Sequence, residues 1–582
     1  MKSGCRSGAW LLILICAVLC LFSCGQKGTA PGSSGDASRS EDSEIGTEPA
    51  EPSAGGLELV RNGMAKVTVV YPQYLPDAKK CAVTLTEELT GITAASPVLQ
   101  DDFLREGEQH DPDTVEILVG YTNYAESVQV MSRLSYGDYA VEVIGNKVVV
   151  AAAYTAALEQ AVYELGRVFR NHYHAETNSV ILPTETALQG NAAGENLREI
   201  PQMGEGIHAP AIVSCGNDTY MLYVSGATDG NYTDYCATLR QAGFEQLRTS
   251  AKGSNRYATY AKGNVCVEVN YYPANREMRC IVLPENVYVA GSEYDLTKVF
   301  SGTAVPLLTQ VGLNYTQVIN GMSYVLRTQE NTFIVIDGGM GGQGEETAIY
   351  NLMVEQSGME TPVIAAWILT HPHNDHIGAI SDFITRYGGR IVPERIIFNF
   401  ADDKILGTAG NDCDGKSYGV IKRALSGKWK DCRVIKPHTG QKLLIDGVEI
   451  EILHTAEEVY PDTDAMLRNN ANSMTFTMKT AGRSILITGD ISSTYGTEMI
   501  GWYGNELKCD ILQVIHHART HGSIAFYKAA APTIALWPTS RTSDEEYGSR
   551  DYNAWLRDNV PHNVYCYNGT ATVNLLTMEI RQ

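Results

Sequence analysis

The sequence contains no C-x-x-C pair, no internal repeat and no long run of like charge. The absence of paired cysteines removes thiolate metal knuckles and thioredoxin-type redox motifs from consideration. Thirteen cysteines are present, and four of them fall within residues 1–24. The other nine, Cys81, Cys215, Cys236, Cys266, Cys280, Cys413, Cys432, Cys509 and Cys566, are scattered and odd in number, which is no disulfide framework. Most read as buried thiols, with Cys266 and Cys280 as one pair that could bridge. Basic excess is also missing. With 45 Lys and Arg against 67 Asp and Glu, the formal charge is −22. Binding of long nucleic acid rests on Lys and Arg neutralising phosphates, so a diffuse acidic surface argues against it. At 582 residues and 44% hydrophobic content, the chain is globular and long enough for three or four domains.

The N-terminus reads as a targeting segment. Lys2 and Arg6 precede an apolar stretch over 9–22, followed by Ser23-Cys24-Gly25. A basic start, an apolar core and a small residue before the cut make a secretory signal, residues 1–23. Leu21 and Ser23 around Cys24 resemble a bacterial lipobox. That resemblance implies lipidation at Cys24 and a chain held at the extracellular face of a bacterial membrane. Residues 24–57 are rich in Gly, Ser, Pro, Glu and Asp and nearly free of large apolar side chains. They cannot bury enough surface to fold and read as a tether.

Two small domains follow. Residues 58–195 alternate strand and helix signals: AKVTVVY at 65–71, a helix over 78–90, TVEILVG at 114–120, and a hairpin turned at Gly145-Asn146. An amphipathic helix over 154–170 carries Ala157, Leu158, Ala161, Val162, Leu165 and Val168 on one face. This α/β order resembles an accessory domain of glycoside hydrolases. His172 and His174 read as a polar helix end. Residues 204–288 read as an α+β domain, with a helix over 233–242 and strands near 221–224, 256–261, 265–272 and 278–283.

The chemistry concentrates after the apolar run Ala365-Ala366-Trp367-Ile368-Leu369, a buried strand by pattern. His371, His373, Asp375 and His376 follow within six residues, then Gly378. Imidazole and carboxylate together suit zinc, iron or manganese. On an extended loop, residues i and i+2 face the same way, so His371 and His373 can share one ion, with Asp375 and His376 placed beyond the turn for a second.

HPHNDH resembles the H-x-H-x-D-H signature of the metallo-β-lactamase superfamily. Three more stretches resemble its other strand ends: 332–339, closing in Asp337-Gly338-Gly339; 484–490, closing in Gly489-Asp490; and 509–517, closing in His516-His517. The resemblance covers roughly 305–582. It implies an α/β multidomain chain whose C-terminal domain, 300–582, is an αββα sandwich. It also implies a dinuclear centre, with zinc first and manganese or iron as alternatives. His371 and His373 would hold one ion. Asp375, His376 and either His516 or His517 would hold the other, and Asp490 would bridge both.

The chain departs from the family at 468–474, RNNANSM, where many members carry a further histidine. His438 and His454 are the nearest substitutes in sequence, and Asn470 or a water could fill the gap. Asn-Asn-x-x-Ser before the Gly-Asp strand, with a later His-His, resembles the branch that includes the hydrolase domain of the DNA-uptake competence protein. Phosphorylcholine esterases of bacterial surfaces share part of this arrangement.

The resemblance implies hydrolysis of a phosphodiester through a water held between two metals, with Asp375 and His521 in catalytic roles. His521 is the candidate proton donor, and Arg519 and Asn470 are candidate substrate contacts. The expected substrate is a small molecule or an envelope polymer. Two alternatives remain: an amide or lactone hydrolase of the same fold, and a cell-wall glycan-binding lipoprotein with a degenerate hydrolase domain.

Overall fold

A computed structural model describes residues 56–73, 76–105, 107–192, 194–204, 210–284, 291–312 and 321–582. Cys24, the signal segment and the tether as far as residue 55 lie outside the described residues; Leu57, assigned to the tether from sequence, opens a strand instead. Among the described residues, no helix is long and apolar enough to cross a membrane.

The C-terminal half is built on two facing sheets. One has eight strands, including Phe333–Asp337, Ile364–Ile368 and Arg395–Ile397. The other has seven, including Arg483–Ile487, Ile511–Gln513 and Ile534–Trp537. Alternation along each strand serves two layers at once. Ile334 and Ile336 point between the sheets and meet Phe476, Ile485, Ile487 and Ile511. Phe333 and Val335 point outward, under the helices Glu345–Ser357, Asn374–Arg386 and Gly415–Leu425, with Trp367, Ile380 and Phe383. On the far side, Leu486 and Leu512 pack beneath Ser493–Tyr503, Ile524–Ala530 and Asp551–Asn559. The result is an αββα sandwich. In each sheet the central strands run parallel, Phe333–Asp337 with Ile364–Ile368 and Arg483–Ile487 with Ile511–Gln513 and Ile534–Trp537. Their C-terminal ends therefore gather on one edge, the usual place for a site in α/β sheets.

Ahead of this sandwich, a six-stranded antiparallel sheet spans 211–283 and carries the helix Asp229–Gln241. The helix begins four residues before the sequence reading placed it, because Thr228 and Asn231 form a capping box. The edge strand Glu245–Lys252 escaped the sequence reading, since EQLRTSAK is polar and mostly exposed and carries no apolar alternation. Cys266 and Cys280 are both unbridged. Cys266 sits opposite Leu283 and Cys280 opposite Val269, and their side chains belong to cores on different faces of the sheet. The bridge considered from sequence is therefore geometrically closed to them.

The first sheet pairs Thr68–Tyr71 in parallel with Val98–Asp101 and Glu116–Val119, and includes the hairpin Asp138–Ile144 and Lys147–Ala152. Pro76–Thr93 and Thr155–Asn171 cover it. Leu57–Arg61, Met64–Ala65, Tyr173–His174 and Ser179–Leu182 form a separate four-stranded sheet. AKVTVVY thus splits between two sheets, and His174 ends up in a short strand.

The 211–283 sheet is tied to the sandwich by buried polar contacts. Arg279 is 2% exposed and donates to the carbonyls of Glu457 (2.6 Å), Glu458 (3.4 Å) and Tyr460 (3.0 Å). Tyr272 Oη donates to Glu458 (2.9 Å), Lys252 pairs with Glu451 (2.6 Å), and Asn270 donates to the Thr439 carbonyl (3.1 Å).

Candidate metal centre

The His motif straddles a loop and a helix. His373 is the N-cap of Asn374–Arg386, so Asp375 and His376 occupy its first turn rather than an extended loop. A carboxylate there is stabilised by the positive end of the helix dipole. The helix comes very close to the Asp-Gly-Gly strand end: a Cβ on Gly378 would lie 2.2 Å from the Gly341 nitrogen. The Gly338 nitrogen donates to the His376 carbonyl (2.7 Å) and the Ala379 nitrogen to the Gly339 carbonyl (3.1 Å). Gly489, at φ +55°, turns the chain so that Asp490 enters from the facing sheet.

Asp375, His376, Asp490 and His517 each offer a donor atom, and all four atoms lie within 4.8 Å of one another. His517 Nε2 is 3.3 Å from both Asp375 Oδ2 and Asp490 Oδ2, and His376 Nε2 is 3.3 Å from Asp490 Oδ2. His376 and His517 place their Nε2 atoms 3.1 Å apart. Beside this group, His371 Nε2 lies 3.0 Å from His373 Nδ1 and 3.8 Å from Asp490 Oδ2. Asp490 thus stands between the His371–His373 pair and the compact group.

The outer nitrogens explain why the inner ones face each other. His376 Nδ1–H donates to Asp337 Oδ2 (2.7 Å), and His517 Nδ1–H donates to the Pro538 carbonyl (2.8 Å). His373 Nε2–H donates to Asp412 Oδ1 at 3.2 Å. The Thr370 hydroxyl donates to Asp337 (2.8 Å) and so accepts from His371 Nδ1 at 3.1 Å. Each imidazole therefore directs a lone pair inward, the orientation that metal-ligating histidines receive from such partners. Asp490 Oδ1 is buried with no hydrogen-bond partner. Convergent lone pairs and an orphaned buried carboxylate oxygen would be costly on their own. They fit a divalent cation, and the N/O donor set is one that zinc, iron or manganese accepts.

The electrostatics agree. Burial opposes charge on His517, yet Asp490 and Asp375 raise it to about 9. His376 is likewise raised against burial, by Asp490 and Asp337. Asp490 and Asp375 are held below the usual carboxylate range despite burial, chiefly by the histidines around them. The two carboxylates demand positive charge here, which a cation would supply in place of protons. Burial and its histidine neighbours push His371 far down, leaving it neutral.

The paired histidines point in different directions. His517 is fully buried and its Nε2 joins the four-donor group. His516 Nε2 is 3.6 Å from Asp490 Oδ2 and accepts from Asn470 Nδ2 at 3.3 Å, while its Nδ1 meets the Thr520 hydroxyl at 2.6 Å. Burial lowers His516 to about 4, so it is neutral and borders the centre. His516, His517, Ala518 and His521 all have φ between +47° and +67°, a strained run that aims adjacent side chains in divergent directions.

His521 stacks on His516, with ring centroids 5.0 Å apart and planes 11° apart. Burial lowers its pKa, so it is neutral at neutral pH. Arg519 lies next to the centre in sequence, its guanidinium 5.6 Å from the Tyr547 ring. His438 and His454 are elsewhere. His438 pairs with Glu457 at 3.1 Å, and His454 contacts the Ser473 carbonyl at 3.2 Å. Neither replaces the histidine missing from 468–474.

Sequence reasoning missed the outer partners. Asp337 closes a strand that was noticed, but its role depends on Thr370 and His376 from another element. Asp412 accepts from the Asn469 backbone and side chain (2.9 and 2.6 Å) as well as from His373. No local pattern marks it, since it joins three separate loops.

Residues 317–422 match the family model of the metallo-beta-lactamase superfamily. Together with the sandwich, this defines the C-terminal part of the chain as a metallo-β-lactamase-type domain with a His/Asp cluster able to hold metal. Among solved structures, human tRNase Z, short form, is 16% identical, covers 40% of this chain and 90% of its own, and has a TM-score of 0.24. A possible metal-dependent hydrolase from Veillonella parvula is 13% identical, with coverage of 47% and 100% and a TM-score of 0.27. The diiron β-hydroxylase CmlA from Streptomyces venezuelae is 12% identical, with a TM-score of 0.28. That match covers 46% of this chain and 54% of the hydroxylase, about half its length. These likenesses carry nothing about substrate. No curated protein matches the chain.

Proposed function

We propose that this chain is a metal-dependent hydrolase of phosphodiesters, lipid-anchored through Cys24 at the outer face of a bacterial membrane. The observation that supports it best is the convergence of Asp375, His376, Asp490 and His517 within 4.8 Å, next to the His371–His373 pair. A segment with Asn469-Asn470 in place of a histidine accompanies it, the pattern that resembles the competence-protein branch. Asp375, His376 and His517 would hold one ion, His371 and His373 the other, and Asp490 would stand between them. Bound dications at such donors acidify water and offset the negative charge that develops during hydrolysis. The chain's own residues do the rest. Asp337 and Asp412 hold His376 and His373 in the ligating orientation, Asn470 fixes His516 at the edge of the site, and His521, stacked on His516, is the candidate proton-transfer group. Zinc is the first expected metal, with manganese or iron as alternatives, and an envelope phosphodiester is the expected substrate class.

The test is hydrolysis of a generic activated phosphodiester by residues 25–582 with zinc or manganese, against Asp490→Ala. Metal-dependent turnover that disappears in the variant supports the proposal. Bound metal without turnover would move the reading to amide or lactone substrates. Absence of both would leave the glycan-binding lipoprotein as the better account.

A further inference from the structure

In a chain of net charge −22, basic side chains without an acidic partner are informative. Two such side chains share one aromatic ring close to the metal centre. Arg519 follows His517 by two residues, so their α-carbons are within about 7 Å. The Arg519 nitrogen donates to the His516 carbonyl (2.8 Å), and its carbonyl accepts from Tyr552 Oη (3.1 Å), which fixes the backbone. The Arg519 guanidinium lies 5.6 Å from the centre of the Tyr547 ring, and that of Arg550 lies 5.0 Å from the same centre. The two cationic carbons are thus no more than about 11 Å apart. Among the described residues, neither forms an ion pair. The nearby acid Asp544 is already held by Arg557 (3.6 Å) and Tyr567 (3.0 Å).

We propose that Arg519, Tyr547 and Arg550 form an anion subsite beside the metal centre, which binds a phosphate carried by the substrate outside the bond that is cut. Two like charges over one ring gain from the ring's π face but still repel each other, and an anion between or across them relieves that repulsion. A guanidinium fork matches two phosphate oxygens at once, which an ammonium does not. Asn553 donates to both the Ala518 and the Tyr547 carbonyls, so the backbone that carries the ring stands against the residue that follows His517. The subsite rests on the phosphodiester reading above. It narrows the substrate to one with at least two phosphates, a short polyphosphodiester or a phosphorylated diester.

The experiment is calorimetric titration of the full chain, purified in neutral detergent and loaded with zinc, with inorganic pyrophosphate. Arg550→Ala is the main variant, because Arg550 is exposed and its removal leaves no cavity. Tyr547→Phe and Tyr547→Ala follow. Affinity should fall about tenfold or more in Arg550→Ala, with zinc content unchanged. It should be kept in Tyr547→Phe, lost in Tyr547→Ala, and weakened in the wild type as salt shortens the Debye length. Equal affinity in wild type and Arg550→Ala would place the probe on the metal ions alone and overturn the subsite. Arginine-dependent pyrophosphate binding without any diester turnover would keep the subsite and refute the reaction proposed above.

Discussion

Replacing Arg279 with Met tests whether the 211–283 sheet is a structural part of the αββα domain. Methionine is comparable in length and apolar, so it fills most of the volume and removes only the guanidinium. The loss leaves the carbonyls of Glu457, Glu458 and Tyr460 without their donor, and Glu277 without its 2.8 Å partner. A buried acceptor left unpaired costs about 1–3 kcal/mol. The 3.4 Å contact to Glu458 is the weakest, and Glu277 is reachable by water. Two strong carbonyl bonds plus one weak one therefore put the loss at about 3–5 kcal/mol, the range seen when one side of a buried charged contact is removed. The assay is urea denaturation followed by tryptophan fluorescence, with hydrogen exchange over 453–472. A downward shift of the midpoint and faster exchange in that segment are expected. The segment leads to Asn469, which donates to Asp412, so metal affinity should fall as well. A variant within about 1 kcal/mol of wild type, with unchanged exchange, would refute the claim that Arg279 clasps this loop.

Three further outcomes are expected. Asp337→Asn removes one acceptor from a carboxylate that serves the Thr370 nitrogen, the Thr370 hydroxyl and His376 at 2.7–2.8 Å; metal affinity should drop about 10–100-fold in competition with a chelator, and unchanged affinity would contradict the orienting role. Asp490→Ala should lower bound metal, measured by elemental analysis after dialysis; full retention would remove Asp490 from the centre. Glu268 is buried and burial raises its pKa to about 7 from 4.5. Between those values the folded chain keeps a proton that the unfolded chain has lost, so stability falls as pH rises through the window. At about 1.4 kcal/mol per unit the total is about 3 kcal/mol. Comparing urea midpoints at pH 5 and 8 should show this decline in wild type and its absence in Glu268→Gln; parallel behaviour of the two would refute it.

What the sequence by itself determined was local. His371, His373, Asp375 and His376 are legible because a short segment after an apolar strand must carry most of one cluster. Asp490 and the His516-His517 pair are legible because each closes its own apolar strand. The sandwich follows from the same runs, whose alternation feeds a core between the sheets and a layer under the helices.

Tertiary structure decided the rest. His516 and His517 are chemically identical and adjacent, and only the strained backbone at φ +47° and +53° sends one into the four-donor group and the other toward Asn470. Asp337 and Asp412 acquire their roles from residues far away in the chain. Cys266 and Cys280 are kept apart by sheet register, and Arg279 finds its carbonyl partners across some 180 residues. Pattern along a chain records which side chains share a face. Which faces meet, and which donor then lacks a partner, is set by long-range packing that no local spacing encodes.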